Sequence, residues 1–136
     1  MRAAGAILLA GLLLAGCATA PPAPACPAGQ DYLQTAQLFF GRNIGAQAGV
    51  SEADFRKFVD EELTPRFPGG LTVLDGGGQW RGKEDRLIRE ASKVVLIVLP
   101  RGRDANGKIE AVRAAYKTRF QQESVMVLTQ GSCVSF

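Results

Sequence analysis

The chain has 136 residues, with 16 Lys and Arg against 13 Asp and Glu, so its net charge is only +3. This length suits one domain, and so small a charge gives no reason to expect binding to nucleic acid or to an anionic surface. The sequence contains no histidine, which removes the commonest metal ligand and general base and excludes a Ser-His-Asp triad. We therefore expect no metal site, no cofactor and no nucleic-acid partner, and we assign no catalytic residue.

The N-terminal residues predict export. Met1 and Arg2 precede the apolar run 3–15, which is shorter than the ~20 residues that span a bilayer. A positive charge, a short apolar run and small residues are typical of a signal peptide. The segment Leu14-Ala15-Gly16-Cys17 resembles the bacterial lipobox, which is cut just before a cysteine whose sulfur is lipidated. We predict that residues 1–16 are a lipoprotein signal peptide and that Cys17 carries fatty acyl groups such as palmitate.

The predicted lipid anchor sets the compartment. Two or more acyl chains anchor a protein stably, and by resemblance to Gram-negative sorting rules, Ala18 after the cysteine favours the outer membrane with the domain facing the periplasm. The alternative is a signal peptide that is cleaved at 18–20 and releases a soluble protein. Residues 17–30 are rich in proline and alanine, which predicts a tether. In the oxidising periplasm, Cys26 and Cys133 are expected to form a disulfide, the alternative being two free thiols.

Residues 31–136 are predicted to fold as one domain. Ser51 and Asp54 have the spacing of a capping box, and Pro65 requires the first helix to end near Leu63. Asp104 or Asn106 is expected to cap the second helix. We predict strands at 35–41, 70–80, 86–100 and 124–136, helices at 51–63 and 107–121, a loop at 42–50, and a bulge or bend at 76–78.

The order of these elements is strand, helix, strand, strand, helix, strand. This order is that of an α+β, ferredoxin-like fold, with a four-stranded antiparallel sheet in the order 4-1-3-2 and both helices on one face. The start of strand one then lies beside the end of strand four. Cys26 and Cys133 lie near these two places, so the predicted topology and the predicted disulfide agree.

The strands are apolar on both faces. The runs VVLIVL (94–99) and VMVL (125–128) do not alternate with polar residues, and Phe39 points opposite Leu38 and Phe40. We expect the face opposite the helices to be covered by a second copy of the protein, a bound ligand or the N-terminal segment. Of these, we favour a homodimer packed sheet to sheet.

The sequence strings LFFGR, TPRFP-x-GLTV, GQW, E-x-SK and Y-x-x-RF-x-QESV are unusual in their combination. Together they resemble the bacterial domain-of-unknown-function family 3574, over nearly all of residues 32–136. The resemblance implies no established activity. The strings hold the candidate ligand-binding residues, whose guanidinium, indole, carboxyl, phenol and amide groups could converge on a cleft: Arg66, Trp80, Arg81, Glu90, Tyr116, Arg119 and Gln122.

Three hypotheses of function follow. The first is a lipid-anchored periplasmic domain that binds a ligand or a partner protein. The second is a cofactor-free acid–base enzyme, an isomerase or lyase acting on a small anion, with Glu90 and Tyr116 as base and acid. The third is a purely structural component of the envelope. Convergence of Arg66, Glu90, Tyr116 and Arg119 into one concave site would favour the enzyme, and pairing on separate surfaces would disfavour it.

Overall fold

The fold is one four-stranded sheet with two helices and a small hairpin. The computed structural model describes residues 24–82, 84–102 and 104–136; Cys17 and the predicted signal peptide lie outside them. The described elements are strands β1 (Asp31–Gly41), β2 (Asn43–Ile44), β3 (Gln47–Ala48), β4 (Thr72–Arg81), β5 (Leu87–Val98) and β6 (Met126–Val134), and helices α1 (Glu52–Phe58, continued by a π-helical turn Val59–Leu63) and α2 (Ala105–Phe120).

The large sheet has the order β4-β5-β1-β6, and all its neighbouring strands are antiparallel. The mixed α/β architecture with a four-stranded antiparallel sheet and two helices is therefore as predicted. The predicted strands one to four correspond to β1, β4, β5 and β6. Strand β1 begins four residues before its predicted start at 35, because its pairing with β6 continues to Asp31 opposite Val134.

Both helices pack on the same face of the sheet. In β1 the buried residues on that face are Ala36, Leu38 and Phe40, and Val95 and Ile97 lie beside them in β5. Helix α1 and its π-helical turn bury Phe55, Phe58 and Leu63, and helix α2 buries Ile109, Val112, Tyr116 and Phe120. Each set follows helical spacing, which is the pattern that predicts both helices from the sequence.

The two helix starts differ in how they are capped. The Ser51 hydroxyl accepts a bond from the Asp54 backbone N–H at 3.1 Å, and the Asp54 carboxylate accepts one from the Ser51 N–H, so the predicted capping box is confirmed. Asp104 is the N-cap of α2, but its side chain makes no capping hydrogen bond. The first helix ends near Leu63, as predicted, although its last turn is π-helical rather than α-helical.

Two predictions of local structure were wrong. The predicted bulge at 76–78 is absent, because β4 pairs with β5 in one unbroken register from Thr72 opposite Leu96 to Arg81 opposite Leu87. Gly76 instead permits close packing, since a Cβ there would lie 2.9 Å from the Ser92 hydroxyl oxygen. The predicted loop at 42–50 contains the β2–β3 hairpin, whose strands are too short to show an alternating pattern.

The face opposite the helices is apolar and open, and we call it the open face. The described residues leave Leu74 51%, Leu96 38%, Met126 54% and Leu128 51% exposed. Phe39 and Val94 lie among them and are half-buried. The described part of the chain therefore does not cover the open face itself. Coverage by a second copy, a ligand or the N-terminal segment stays a prediction.

Cys26 and Cys133 are joined by a disulfide, with their Cα atoms 5.5 Å apart. Cys133 pairs with Tyr32 in the sheet, so the disulfide joins residue 26, just before β1, to the end of β6 next to β1. The two cysteines are 107 residues apart in sequence, and the disulfide therefore closes a loop that contains almost the whole domain.

Reduction of this disulfide should lower the free energy of unfolding by about 4–5 kcal/mol, because the unfolded chain regains the conformational entropy that the cross-link removes. Urea unfolding with and without dithiothreitol measures the difference. The double variant Cys26→Ser, Cys133→Ser is the control, and its unfolding should be insensitive to dithiothreitol. An unchanged midpoint for the reduced wild type would contradict the prediction.

Candidate functional site

The hairpin of β4 and β5 extends beyond the rest of the sheet. Pairing of β1 with β5 stops at Gly41 opposite Ser92, whereas β4 and β5 remain paired as far as Arg81 and Leu87. Residues 77–81 and 87–91 therefore form a two-stranded projection, which we call the arm. Pairing between the two strands positions Trp80 opposite Ile88 on the same face of the arm.

A cleft of about 510 Å³ lies between the arm and the β2–β3 hairpin. The arm contributes the Trp80 indole and the Arg89 guanidinium, and the turn at its tip contributes the Arg86 guanidinium. The hairpin contributes main chain and no bulky side chains. The residues that define the cleft are Asn43, Gly45, Trp80, Arg86, Ile88 and Arg89. Of the sequence-predicted ligand residues, only Trp80 lines this cleft.

The cleft combines a flat apolar surface with positive charge. The Trp80 side chain is 43% exposed, which leaves the indole available for stacking. Arg86 forms no ion pair with another described residue, and the Arg89 Nε donates to the Gln79 Oε1 at 2.9 Å, which leaves its other donors available. Glu84 adds one carboxylate at the rim. These groups suit an anion that carries a flat, apolar part.

Three of the predicted residues do converge, but on main chain rather than on a cavity. The Glu90 Oε2 accepts a bond from the Asn43 N–H at 3.2 Å, and the Gln122 side-chain amide donates to the Asn43 carbonyl. The Tyr116 hydroxyl donates to the Gly41 carbonyl at 2.8 Å. These three side chains hold the turn from β1 into β2, which we call the corner (residues 41–43), and they thereby position the hairpin that walls the cleft.

Burial determines what Tyr116 can do. Its ring is fully buried between Phe40 and Phe58, and this burial raises the pKa of its hydroxyl well above the ordinary value. The hydroxyl stays protonated and donates to the Gly41 carbonyl. Gly41 leaves room for the Glu90 carboxylate, since a Cβ there would lie 2.6 Å from the Glu90 Oε1 and the carboxylate would have to move.

Arg66 and Arg119 lie away from the cleft, on the helical side of the domain. The Arg66 Nη1 donates to the Glu62 carboxylate at 2.8 Å, and Arg119 binds the same carboxylate and that of Glu61. The Arg119 guanidinium also lies 5.4 Å from the centre of the Phe58 ring. Arg81 forms an exposed ion pair with Asp85 at 3.0 Å. The seven predicted residues are thus divided among the arm, the corner and the helical side.

Sequence reasoning missed an ion network around Lys93. This ammonium is almost fully buried on the helix side of β5, and it donates to Glu52 at 2.8 Å and to Asp75. Its hydrogen bonds raise the pKa of Lys93, the larger effect coming from Asp75, and they lower the pKa values of both carboxyls. Arg42 also binds Glu52. A lysine at a position that shares a face with Val95 and Ile97 is the signal that could have revealed this network.

A second cleft, of about 660 Å³, lies at the opposite end of the sheet, where Tyr32, Pro100, Arg101 and Asn106 are among its walls. Arg101 is paired with Asp31 at 3.2 Å. Among the residues described, His, Cys, Asp and Glu form no group of three or more that could hold a metal ion. In the same ranges, no helix has the length and apolarity needed to cross a membrane.

Comparison with known proteins identifies a family. Residues 35–136 match the model of the family described as protein of unknown function DUF3574. The chain belongs to this family. The match includes the arm, the corner and both helices of the DUF3574 domain. No curated protein matches the chain.

Solved structures of phage SAM lyase share the fold of the DUF3574 domain. A phage SAM lyase in complex with S-methyl-5'-thioadenosine has a TM-score of 0.60 at 19% identity, over 85% of this chain and 97% of the lyase. The same lyase in its apo state gives 0.59 at 21% identity, with the same coverage. CutA from Synechococcus elongatus gives 0.49 at 7% identity, over 75% of this chain and 78% of CutA. For the lyase, at 19% and 21% identity, the likeness is one of fold alone.

Replacement of Tyr116 by Phe should lower the free energy of unfolding of the DUF3574 domain by about 1–2 kcal/mol, because the Gly41 carbonyl loses its donor. Tyr32→Phe is the matched control: the only other tyrosine of the chain is 39% exposed, and its replacement should change stability by less than about 0.5 kcal/mol. Urea unfolding of both variants measures the difference. Equal losses would show that the Tyr116 hydroxyl does not hold the corner.

Proposed function

We propose that this protein is a lipid-anchored domain of the bacterial cell envelope, facing the periplasm from the outer membrane, and that it binds a small anionic ligand in the cleft beside the arm. The observation that carries the binding proposal is the cleft itself. It combines an exposed indole with Arg86 and Arg89, and no described ion pair neutralises either arginine.

We also assign the domain to the ferredoxin-like class. Support comes from the chain order of its long elements, which is strand, helix, strand, strand, helix, strand once the short hairpin is set aside. The order β4-β5-β1-β6 is the arrangement that right-handed crossovers produce for such a chain, with the two central strands each joined to an edge strand through a helix.

The tether and the cleft lie at opposite ends of the sheet. The disulfide holds residue 26 at Cys133, which pairs with Tyr32 near the start of β1, whereas the corner and the cleft follow the end of β1. Strand β1 has 11 residues, which separates the two ends by roughly 33 Å. A domain anchored through Cys17 would hold the cleft on the side away from its anchor, where it is open to periplasmic solutes.

The side chains that line the cleft indicate the class of ligand. Guanidinium groups bind carboxylate or phosphate through paired hydrogen bonds, and the indole prefers a flat apolar group at a short distance from that charge. A partner protein could present the same chemistry through an acidic residue next to an aromatic one. We choose the small ligand because the cleft is of the size of known small-molecule pockets, about 300–1,000 Å³.

Binding is better supported than catalysis. The acid–base hypothesis required Arg66, Glu90, Tyr116 and Arg119 to share one concave site. In the structure, the two arginines are paired with Glu62, and the Tyr116 hydroxyl is buried and donates to main chain. The Glu90 carboxylate accepts from the Asn43 N–H. These groups act on the protein's own structure.

A ligand screen can start from 1-naphthyl phosphate, a flat aromatic dianion, with isothermal titration calorimetry as the measurement. We expect the wild type to bind it, and Trp80→Ala and Arg86→Gln each to raise the dissociation constant about tenfold, since loss of one good contact costs about 1.4 kcal/mol.

Arg101→Gln is the control for this titration, because Arg101 is also exposed but lies at the opposite end of the sheet, where it pairs with Asp31. Its dissociation constant should equal that of the wild type. Equal affinity for all four proteins, or a loss only with Arg101→Gln, would contradict the assignment of the cleft.

The lipid anchor has its own test. The wild type should be found in the membrane fraction with a triacylated N-terminus at Cys17, and Cys17→Ser should lose the lipid, because serine offers no sulfur for acylation. Intact-mass spectrometry together with fractionation of the cell envelope measures both. An unmodified N-terminus in the wild type would contradict the proposed anchor, whatever the outcome of the ligand titration.

A further inference from the structure

We infer that a second copy of this chain covers the open face and, in doing so, closes the outer side of the cleft. The open face presents six large apolar side chains in four adjacent strands: Phe39, Leu74, Val94, Leu96, Met126 and Leu128. Monomeric soluble proteins rarely expose a contiguous apolar patch of this extent, and such patches mark interaction surfaces.

The charge pattern favours self-association. Among the residues of the four strands that point to the open face, the charged ones are Asp31 at one end and Glu90 near the other. Depletion of charge is typical of the core of an interface, and homodimer interfaces are the most apolar class. Because both charges lie near the ends of the strands, the apolar centre of the face meets no like-charge repulsion when it packs against its own copy.

The available area suits a specific contact. Four strands about 4.8 Å apart and roughly seven residues long, together with the arm, give a footprint of roughly 600 Å² per copy. Two copies packed face to face would therefore bury on the order of 1,200 Å², which is the lower limit of stable, specific interfaces.

If Cys17 is the first residue of the mature chain, as proposed, the N-terminal segment is too short to cover the open face and also reach the membrane. Cys26 is bonded to Cys133, which pairs with Tyr32 and points to the helix side of β6. From Cys133, Leu74 lies seven residues along the strands and three strands across, a straight distance of roughly 27 Å. The segment would also have to pass around the edge of the sheet, which makes its path longer. Residues 17–26 reach about 30 Å when fully extended. Coverage by this segment would leave no length for the membrane anchor.

The cleft and the open face are continuous. Trp80 and Ile88 point to the same side of the β4–β5 hairpin as Leu74 and Val94, since positions two apart along a strand share a face. The indole is 43% exposed. A two-stranded ribbon is marginally stable alone, so a second copy packed against the arm would also support it.

Native mass spectrometry of the full-length, detergent-solubilised protein tests the inference. We expect the wild type to be a dimer at about 10 µM. Leu74→Glu and Leu96→Glu should raise the dissociation constant at least about 100-fold, because each interface would bury two unpaired carboxylates. Val73→Glu is the matched control, since Val73 is 39% exposed and is adjacent to Leu74 but points to the other face. It should remain a dimer.

Trp80 gives a second readout, because it is the only tryptophan of the chain. Acrylamide should quench its fluorescence weakly in the dimer and at least about twofold more strongly in Leu96→Glu, where the indole loses its cover. This readout does not depend on any ligand, so its failure and the failure of the cleft titration are distinguishable. Circular dichroism of each variant should match that of the wild type.

A third measurement avoids detergent. In the intact envelope, at least one of Leu74→Cys, Leu96→Cys and Leu128→Cys should give a band of twice the mass on a non-reducing gel, whereas Ala114→Cys, exposed on α2, should not. A monomeric wild type without cross-links would overturn the inference, as would equal dissociation of Leu74→Glu and Val73→Glu. Quenching of Trp80 by brominated phosphatidylcholine in vesicles would instead assign the open face to the bilayer, and would also overturn it.

Discussion

The hydrogen bond from the buried Tyr116 hydroxyl to the Gly41 carbonyl connects the core of this domain to its candidate site. The tyrosine ring packs edge-on against Phe40, Phe55 and Phe58, so its position is fixed by the same aromatic cluster that fixes both helices on the sheet. The hydroxyl donates to the Gly41 carbonyl, and burial raises its pKa further above the neutral range. The corner therefore has a rigid position relative to the core, and the hairpin that follows it can wall a cleft.

The residues that surround the corner together fix the position of its main chain. Helix α2 ends in a left-handed Gln121, which turns the chain so that the next side chain, Gln122, reaches the Asn43 carbonyl. Glu90 reaches the Asn43 N–H from β5, and Gly41 leaves room for its carboxylate. Three of the strings that carry the family resemblance thus contribute Gly41, Glu90, Tyr116 and Gln122 to contacts that shape the end of the sheet, and Trp80 from a fourth string is exposed beside them.

Much of the fold could be predicted from the sequence, because local rules and tertiary packing agree there. Helical spacing of Phe55, Phe58 and Leu63, a capping box at Ser51 and long apolar strands were sufficient to place the main elements. The β2–β3 hairpin could not be found, since two-residue strands carry no periodicity. The candidate site was harder still: Arg66 and Arg119 have the chemistry of anion binders, but Glu62, four residues before Arg66, pairs with both, and it meets Arg119 only in three dimensions.

A sheet with two apolar faces but helices on only one of them needs a second cover for the other face. Burial of Phe40 and Ile97 under the helices stabilises the monomer, whereas Leu74, Leu96 and Leu128 on the other face gain nothing until that face is covered. A tether restricts a membrane-anchored chain to a thin layer and raises its effective concentration, so even a modest interface would be occupied there. The proposed anchor and the proposed dimer therefore support each other: the anchor concentrates the copies, and the second copy covers the open face and the indole beside it.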